Sequence, residues 1–147
     1  MIIRKMENKD RQDVFSMMRK FYDSPAIITK SSDDVLMKDI SDCISDMPFI
    51  EGYVFEINNK IVGYSMIAKS YSTEFGGICI WIEDLYIDSD YRHKGIATDF
   101  FKYIESIYNK SAVRYRLEVE LENENAVSAY KKNGYSVLPY VQMTKEL

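Results

Sequence analysis

The sequence predicts one α/β domain built around a mixed sheet. Three observations support this class: apolar residues recur at helical spacing in residues 11–47, β-rich runs follow in residues 53–87, and helical and strand-like segments then alternate to the end. The expected element order is β-α-α-β-β-β-α-β-α-β. At 147 residues the chain can bury a substantial core, so we expect residues 1–147 to form a single domain.

The first three elements have local signals of their own. "IIRKM" is typical of a short first strand, and Asp10 is placed to cap the helix that follows it. Ser31 or Ser32 can start a second amphipathic helix. Both helices present one apolar face, which predicts that they pack against the sheet.

The middle of the chain predicts a β meander. "YVFEI" and "IVGYSMIA" flank "NNK", and asparagine tolerates the left-handed backbone that a tight hairpin turn needs. "GGICIWIEDLYI" is a longer third run of the same kind. These three runs predict consecutive strands.

The last part of the chain alternates again. "GIATDFFKYIESIYN" has the spacing of an amphipathic helix, and "YRLEVEL" is typical of a strand. A short helix follows in "NENAVSAYKKNGY", where Gly134 can end it, and "SVLPYVQMTKEL" predicts a final strand.

Composition limits the function classes. The formal net charge is -4 and the pI is near 5.1, which argues against a broad grip on nucleic acid and favours a basic partner. No run approaches the roughly 18 apolar residues of a membrane span, and "MIIRKMENKD" does not resemble a signal peptide. We therefore expect a cytosolic protein without a membrane partner. Cys43 and Cys79 lack zinc-ligand spacing and are expected in the core, with no metal site.

The loop "RHKGIA" is the first functional candidate. It lies where a strand stops and a helix begins, so its backbone N–H groups have no partner inside the helix and can bind a phosphate. Gly95 lets the backbone come close to the ligand, while Arg92 and Lys94 add positive charge. A plain solvated turn is the alternative. The Walker and dinucleotide-binding patterns do not fit, because they need a Lys after the glycine or three glycines.

Two motifs in order resemble the GNAT superfamily of acetyl-CoA-dependent N-acetyltransferases. "RHKGIA" matches the Q/R-x-x-G-x-G/A pyrophosphate loop at Arg92, Gly95 and Ala97. Downstream, "NENAVSAYKKNGY" is similar to the family's second signature at five positions: Asn123, Ala126, Tyr130, Gly134 and Tyr135. The element order is also similar, so the resemblance covers nearly the whole chain and implies a mostly antiparallel sheet with about four helices.

The resemblance implies that acetyl-CoA lies between two splayed parallel strands. The pantetheine amides would pair with the strand before the loop, and the pyrophosphate would rest on the loop. Asn123 would bind the pantetheine arm or, equally, cap its helix. The implied cofactor-binding residues are Leu85, Tyr86, Ile87, Arg92, His93, Lys94, Gly95, Ile96, Ala97, Thr98, Asn123, Ala126 and Tyr130.

Acetyl transfer to an amine needs a base for the amine and a proton for the thiolate. By resemblance Tyr130 would give the proton to the sulfur, with packing on its helix as the alternative. "IEDLYI" resembles the spermidine/spermine N-acetyltransferases, which places Glu83 at the acceptor amine as the implied base, against a plain surface carboxylate. Strand alternation would let only one of Glu83 and Asp84 face the acceptor unless a bulge intervenes. Glu118 and Glu120 are weaker candidates.

The remaining side chains carry weaker signals. His93, the single histidine, lies in the loop and is expected to contribute mainly its backbone N–H. Tyr22, Tyr71 and Trp81 could hold an ammonium group by cation-π attraction, although core packing explains them as well. No serine or cysteine is paired with a second histidine, so a covalent acyl-enzyme has little support.

The sequence thus predicts an acetyltransferase acting by direct attack on a primary amine of a small molecule. Acetylation of a protein N-terminus or lysine is an alternative, and so is a non-catalytic module that binds acyl-CoA. Similar proteins commonly dimerise, so a homodimer is also open.

Overall fold

The computed structural model describes residues 1–147 and contains five strands and four helices. The strands are β1 (Ile2–Lys5), β2 (Ile50–Ile57), β3 (Lys60–Ser72), β4 (Gly77–Ile87) and β5 (Ala112–Leu117). The helices are α1 (Arg11–Tyr22), α2 (Asp33–Ile44), α3 (Ile96–Tyr108) and α4 (Glu124–Lys132). None of these helices combines the length and apolar character needed to cross a bilayer.

The strands form one sheet in the order β1-β2-β3-β4-β5. The first three pairings are antiparallel, and β4 pairs with β5 in parallel. The prediction of an α/β fold with a mixed, mostly antiparallel sheet and four helices is confirmed. A parallel pair needs a crossover connection, which α3 supplies.

Three local predictions are confirmed by the backbone. Asn58 and Asn59 have φ of 50° and 61° in the β2–β3 hairpin. The side chain of Ser32 accepts a hydrogen bond from the amide of Val35 at the start of α2. Gly134 has φ of 88° just after α4, where a residue with a Cβ would be strained.

Two apolar cores lie on opposite faces of the sheet. One joins α1 and α2 to the sheet and contains Leu36, Tyr64 and Tyr86, and the other lies under α3 and contains Phe55 and Phe100. Both cysteines are free thiols in buried positions, as the sequence predicts.

A polar network crosses the α3 face of the sheet. The carboxylate of Glu51 on β2 accepts hydrogen bonds from Lys69 Nζ at 2.6 Å and from the hydroxyls of Tyr108 at 2.7 Å and Tyr53. Burial alone would raise the pKa of Glu51, but the hydrogen bonds outweigh it and hold the pKa at about 2. The ionised carboxylate therefore ties the end of α3 to β2 and β3.

Two predictions about the ends of elements need correction. "SVLPYVQMTKEL" forms no strand, because strand propensity becomes structure only where a neighbour supplies a ladder, and none pairs with these residues. The segment stays open to solvent, with Val141 89% exposed. Asp10 precedes α1 but makes no side-chain cap there, because its carboxylate binds the guanidinium of Arg4 at 2.7 Å and accepts from the amide of Glu7.

Candidate functional site

The loop before α3 contains two residues with positive φ. Gly95 occupies the residue before the helix with φ of 83°, in the left-handed region that favours glycine. His93 also has positive φ, at 60°. The first hydrogen bond of the helix runs from the amide of Asp99 to the carbonyl oxygen of Gly95.

Six consecutive amides, from His93 to Thr98, find no acceptor within the protein. No loop or cap hydrogen bond involves their N–H groups, and no side chain caps the helix. Residues 92–95 are exposed, whereas Ile96 is buried and fixes the start of the helix in the core. Free amides at the positive end of a helix dipole form an anion-binding site.

The basic side chains of the loop are partly engaged. Arg92 donates from Nε to the carbonyl oxygen of Ile87 at 2.8 Å, and its guanidinium lies 5.7 Å from the centre of the Tyr86 ring. The Lys94 ammonium lies 5.1 Å from the Tyr91 ring. Both positive charges stay beside the free amides, although Arg92 is folded back onto the end of β4.

The two parallel strands separate beside this loop. Their last paired residues are Ile82 on β4 and Leu117 on β5. From there β4 continues for five residues to Ile87 without a partner on that side, while the chain after Leu117 leaves the sheet. The predicted opening between splayed strands is present, and it leads from the ends of the paired segments toward α3.

The register of β3 and β4 decides which backbone groups face the opening. The amide of Asp88 donates to the carbonyl oxygen of Val62, so the hydrogen-bonded pairs alternate from there and include Tyr64 with Tyr86. The backbone of Tyr86 is therefore committed to β3, contrary to its predicted role. Leu85 and Ile87 turn their N–H and C=O groups toward the opening, and Arg92 already occupies the carbonyl of Ile87.

A β-bulge lies in β4 beside the opening. Ile82 pairs with Ile67 and Asp84 pairs with Met66, which leaves Glu83 as an extra residue. Upstream of the bulge Ile82 belongs to the core under α3, whereas Asp84 hydrogen-bonds on the α1/α2 side. The sequence argument required a bulge for both carboxylates to lie on the acceptor side, and the structure has one.

The two acidic residues differ in environment. Glu83 is exposed, and the pKa of its carboxyl is raised by the surrounding protein atoms and by the charge of Glu118. Asp84 is 4% exposed, and burial raises its pKa to about 6 although Tyr64 and Tyr22 both donate hydrogen bonds to it. Glu83 is thus the solvent-accessible carboxylate of the pair, and Asp84 is the buried one.

Tyr130 lies on α4 beside the end of β5. Its ring packs against Phe101 and Tyr135, with centroid distances of 6.0 and 6.1 Å. Its hydroxyl makes no hydrogen bond within the protein, and burial raises the pKa of the phenol, which keeps it protonated at neutral pH. The packing role weighed for Tyr130 is present, and its role as proton donor to the sulfur stays a prediction.

The start of α4 uses another predicted residue. Asn123 caps the helix, since its side-chain oxygen accepts from the amide of Ala126 at 3.3 Å. The capping role left open by the sequence is therefore the one the structure shows, and the side-chain nitrogen of Asn123 remains without a partner.

The three aromatic candidates for the acceptor side separate in the structure. Tyr22 donates to Asp84, Tyr71 is 66% exposed, and Trp81 is covered on one side by the guanidinium of Arg116 at 4.4 Å. They do not form one aromatic cage. No group of three or more His, Cys, Asp or Glu side chains is arranged to hold a metal ion.

A cleft of about 700 Å³ lies on the outer side of β5, between that strand, α4 and the C-terminal segment. Tyr130 and Glu118 line it, but no residue of β4 does. The cleft is therefore distinct from the opening between β4 and β5.

Two features escaped the sequence argument. One is the pair of phenols, Tyr22 and Tyr64, on the buried carboxylate of Asp84, and the other is the Arg92 contact to Ile87. The acidic pair in "IEDLYI" was visible, but which member is buried depends on the bulge. A bulge leaves no signal in residue type here.

The sequence matches the model of the family described as "Acetyltransferase (GNAT) family" over residues 13–135. It is also 29% identical to the thialysine N-epsilon-acetyltransferase of Mus musculus over 143 residues, which is 90% of this chain and 82% of that protein. The Sus scrofa protein of the same name is 28% identical over 90% of this chain and 82% of its own.

Solved structures show the same fold. A possible acetyltransferase from Clostridium difficile 630 superposes with a TM-score of 0.85 at 27% identity, covering 99% of this chain and 97% of that one. The aminoglycoside N-acetyltransferase AAC(6')-Iy in complex with CoA gives a TM-score of 0.82 at 12% identity, covering 99% and 93%. With the family model spanning most of its length, this chain belongs to the GNAT family of acetyltransferases.

Proposed function

We propose that the protein transfers an acetyl group from acetyl-CoA to a primary amine of a small molecule, by direct attack in a ternary complex. The row of free amides from His93 to Thr98, opening beside the gap between β4 and β5, carries this proposal. A diphosphate needs several donors, and a thioester needs a channel that leads away from them. Here the row of amide donors lies next to the opening between β4 and β5.

The loop and β4 would hold the cofactor in an extended form. The diphosphate would accept from the loop amides, with Lys94 and Arg92 adding positive charge nearby. The free N–H and C=O of Leu85 and the free N–H of Ile87 would pair with the pantetheine amides as a strand would. This pairing directs the thioester toward the bulge at Glu83.

The chemical step then needs two proton transfers. The amine nitrogen attacks the thioester carbon, so a C–N bond forms and the C–S bond breaks. Glu83, whose raised pKa makes it a better base than an ordinary glutamate, would take the proton of the amine directly or through water. The departing thiolate would take the proton of Tyr130, whose hydroxyl has no other partner.

The proposed acceptor class is based on the acidic side chains of the site and on the similar proteins found. Glu83, Asp84 and Glu118 leave the region acidic, which favours a cationic amine over an anionic acceptor. The curated relatives are named for acetylation of thialysine at its ε-amine, so an amino acid with a side-chain amine is the first acceptor to test. A polyamine is the second. A cytosolic location rests on composition alone.

Two alternatives stay open in the design of the test. A ribosomal-protein-alanine N-acetyltransferase from Brucella shares the fold with a TM-score of 0.74 at 13% identity, so a peptide N-terminus belongs in the acceptor panel. A non-catalytic acyl-CoA-binding module would bind the cofactor and release no CoA with any amine.

The experiment has two parts. Calorimetric titration with acetyl-CoA, compared with S-acetylpantetheine, which lacks the diphosphate, measures what the loop contributes. Release of free CoA is then followed with thialysine, lysine, polyamines, aminoglycosides and a short peptide. Amine-dependent release supports the proposal. Equal affinity for the two thioesters would contradict the role of the loop, and binding without release across the panel would favour the acyl-CoA-binding module.

A further inference from the structure

Asp84 is a buried carboxylate that no cation neutralises. Its side chain is 4% exposed, and its two oxygens accept hydrogen bonds from the hydroxyls of Tyr22 and Tyr64, both at 2.9 Å. No Lys, Arg or His makes a hydrogen bond or ion pair with it. Burying an unpaired charge costs several kcal/mol, and hydrogen bonds from two neutral phenols offset this cost only in part.

The residue also holds the backbone just after the bulge. The hydroxyl of Ser65 on β3 donates to the carbonyl oxygen of Asp84 at 2.6 Å, in addition to the ladder between the strands. Asp84 is therefore fixed at its side chain and at its main chain. The fixed position of Asp84 therefore limits the directions in which the side chain of Glu83, the adjacent extra residue, can point.

Tyr22 brings a third element into the same network. It is the last residue of α1, and the connection of residues 23–32 to α2 begins immediately after it. Its neighbour Phe21 packs against Tyr86 on β4 at a centroid distance of 6.0 Å. The end of α1 is thus tied to β4 at two points just after the bulge, Asp84 and Tyr86.

We propose that Asp84 is a positioning residue for acetyl transfer: clamped by Tyr22 and Tyr64, it fixes the β4 bulge so that Glu83 faces the acceptor amine. This inference rests on the proposed function, because it concerns how Glu83 is aimed. Asp84 does not touch the substrate. It acts by holding α1, β3 and β4 in one arrangement.

The two phenols that contact Asp84, rather than its acidic neighbours, give a reason for a carboxylate here. The groups that face Asp84 are Tyr22 from α1, Asp39 from α2, Tyr64 from β3 and its own neighbour Glu83. An ionised carboxylate accepts from both phenols at once, whereas an amide has one acceptor oxygen and must turn its NH₂ toward the second phenol. Asparagine would keep the shape and loosen one of the two clamps.

A double-mutant cycle between Asp84 and Glu83 tests the proposal. Asp84→Asn should lower kcat/KM for the amine by up to about a hundredfold, the scale expected for a small misplacement of reacting groups. The KM for acetyl-CoA should change less than about threefold, because the loop amides are untouched; a threefold change corresponds to about 0.65 kcal/mol. Added to Glu83→Gln, the change should cost almost nothing further, because there is no longer a base to aim.

Two further variants separate positioning from simple loss of stability. Asp10→Asn alters the other buried aspartate, which is 3% exposed and pairs with Arg4. It should lower the melting temperature while leaving kcat/KM per folded molecule unchanged. Tyr22→Phe removes only the hydroxyl that binds Asp84 and should reproduce the loss in kcat/KM for the amine, which keeps the test open if Asp84→Asn folds poorly.

The outcomes distinguish this inference from the proposed function. If the wild-type protein acetylates an amine but the effects of Asp84→Asn and Glu83→Gln multiply independently, the positioning role is wrong and the proposed function stands. Equal losses of kcat/KM for the amine and for acetyl-CoA in Asp84→Asn would likewise refute the positioning role and leave the proposed function standing. A wild-type protein that acetylates none of the panel would overturn both.

Discussion

Replacing Gly95 with valine tests the loop most directly. The residue has φ of 83°, where a side chain with a Cβ costs about 1–2 kcal/mol. A Cβ built there meets no atom within 4 Å, so the penalty is conformational rather than steric. The loop can relieve it only by turning the peptide groups on either side of residue 95, which are among the six free amides.

Acetyl-CoA affinity is the quantity expected to change. A hydrogen bond to a charged group contributes about 1.5–3 kcal/mol, so losing one phosphate contact should raise Kd about tenfold to a hundredfold. Calorimetric titration of wild type and Gly95→Val measures this directly. Circular dichroism should show the same secondary structure in both, because no helix or strand contains Gly95.

Gly76 provides the matched control. It has φ of 69° in the β3–β4 turn, and a Cβ there also meets nothing within 4 Å. Gly76→Val should therefore lose a comparable amount of stability, about 1–2 kcal/mol, with unchanged acetyl-CoA affinity. If Gly95→Val binds acetyl-CoA as tightly as wild type does, or if both variants lose affinity equally, the loop does not bind the diphosphate through its backbone.

Three further predictions concern the proton donor, the Glu51 network and the thiols. Tyr130→Phe should lower turnover about a hundredfold while changing the Kd for acetyl-CoA much less, as CoA release and calorimetry can show; normal rates at every pH would mean that solvent protonates the sulfur. The pKa of Glu51 is depressed from 4.5 to about 2, so its stabilisation is complete above pH about 4.5 and is lost as pH falls toward 2. The free energy of unfolding should fall less between pH about 4.5 and 2 in Glu51→Gln than in wild type, by at most about 3 kcal/mol. Parallel plots of this free energy against pH for the two proteins would contradict the network. Burial raises the pKa of Cys43 to about 12 and raises that of Cys79, so neither should react with a thiol reagent until the protein is denatured; rapid labelling of the native protein would show that a thiol is accessible.

Features set by a few neighbouring residues were predictable from the sequence. The asparagine turn before Lys60, the Ser32 cap and the end of α4 at Gly134 each depend on backbone preferences of one or two residues. The order of strands and helices follows from apolar periodicity in the same way. These local signals placed the loop before α3, and α3 itself, correctly.

Features set by distant partners were not predictable. Tyr22 and Asp84 are 62 residues apart in sequence, and nothing in either segment indicates that they meet. The commitment of the Tyr86 backbone to β3 depends on register, which the bulge shifts. The final strand failed for a related reason, since its residues have strand propensity but no ladder.

The extra residue in β4 lets the even-numbered residues of one strand contribute to both cores of the protein. Before Glu83, the even-numbered residues Ile80 and Ile82 pack in the core beneath α3. After it, the even-numbered residues Asp84 and Tyr86 face α1 and α2 instead. Ile82 and Asp84 already pair with adjacent residues of β3, Ile67 and Met66, so deleting Glu83 would leave a regular strand with Asp84 to Ile87 on their present faces. Both substitution and deletion at position 83 should thus leave the two cores in place, and deletion should remove only the carboxylate that the bulge presents.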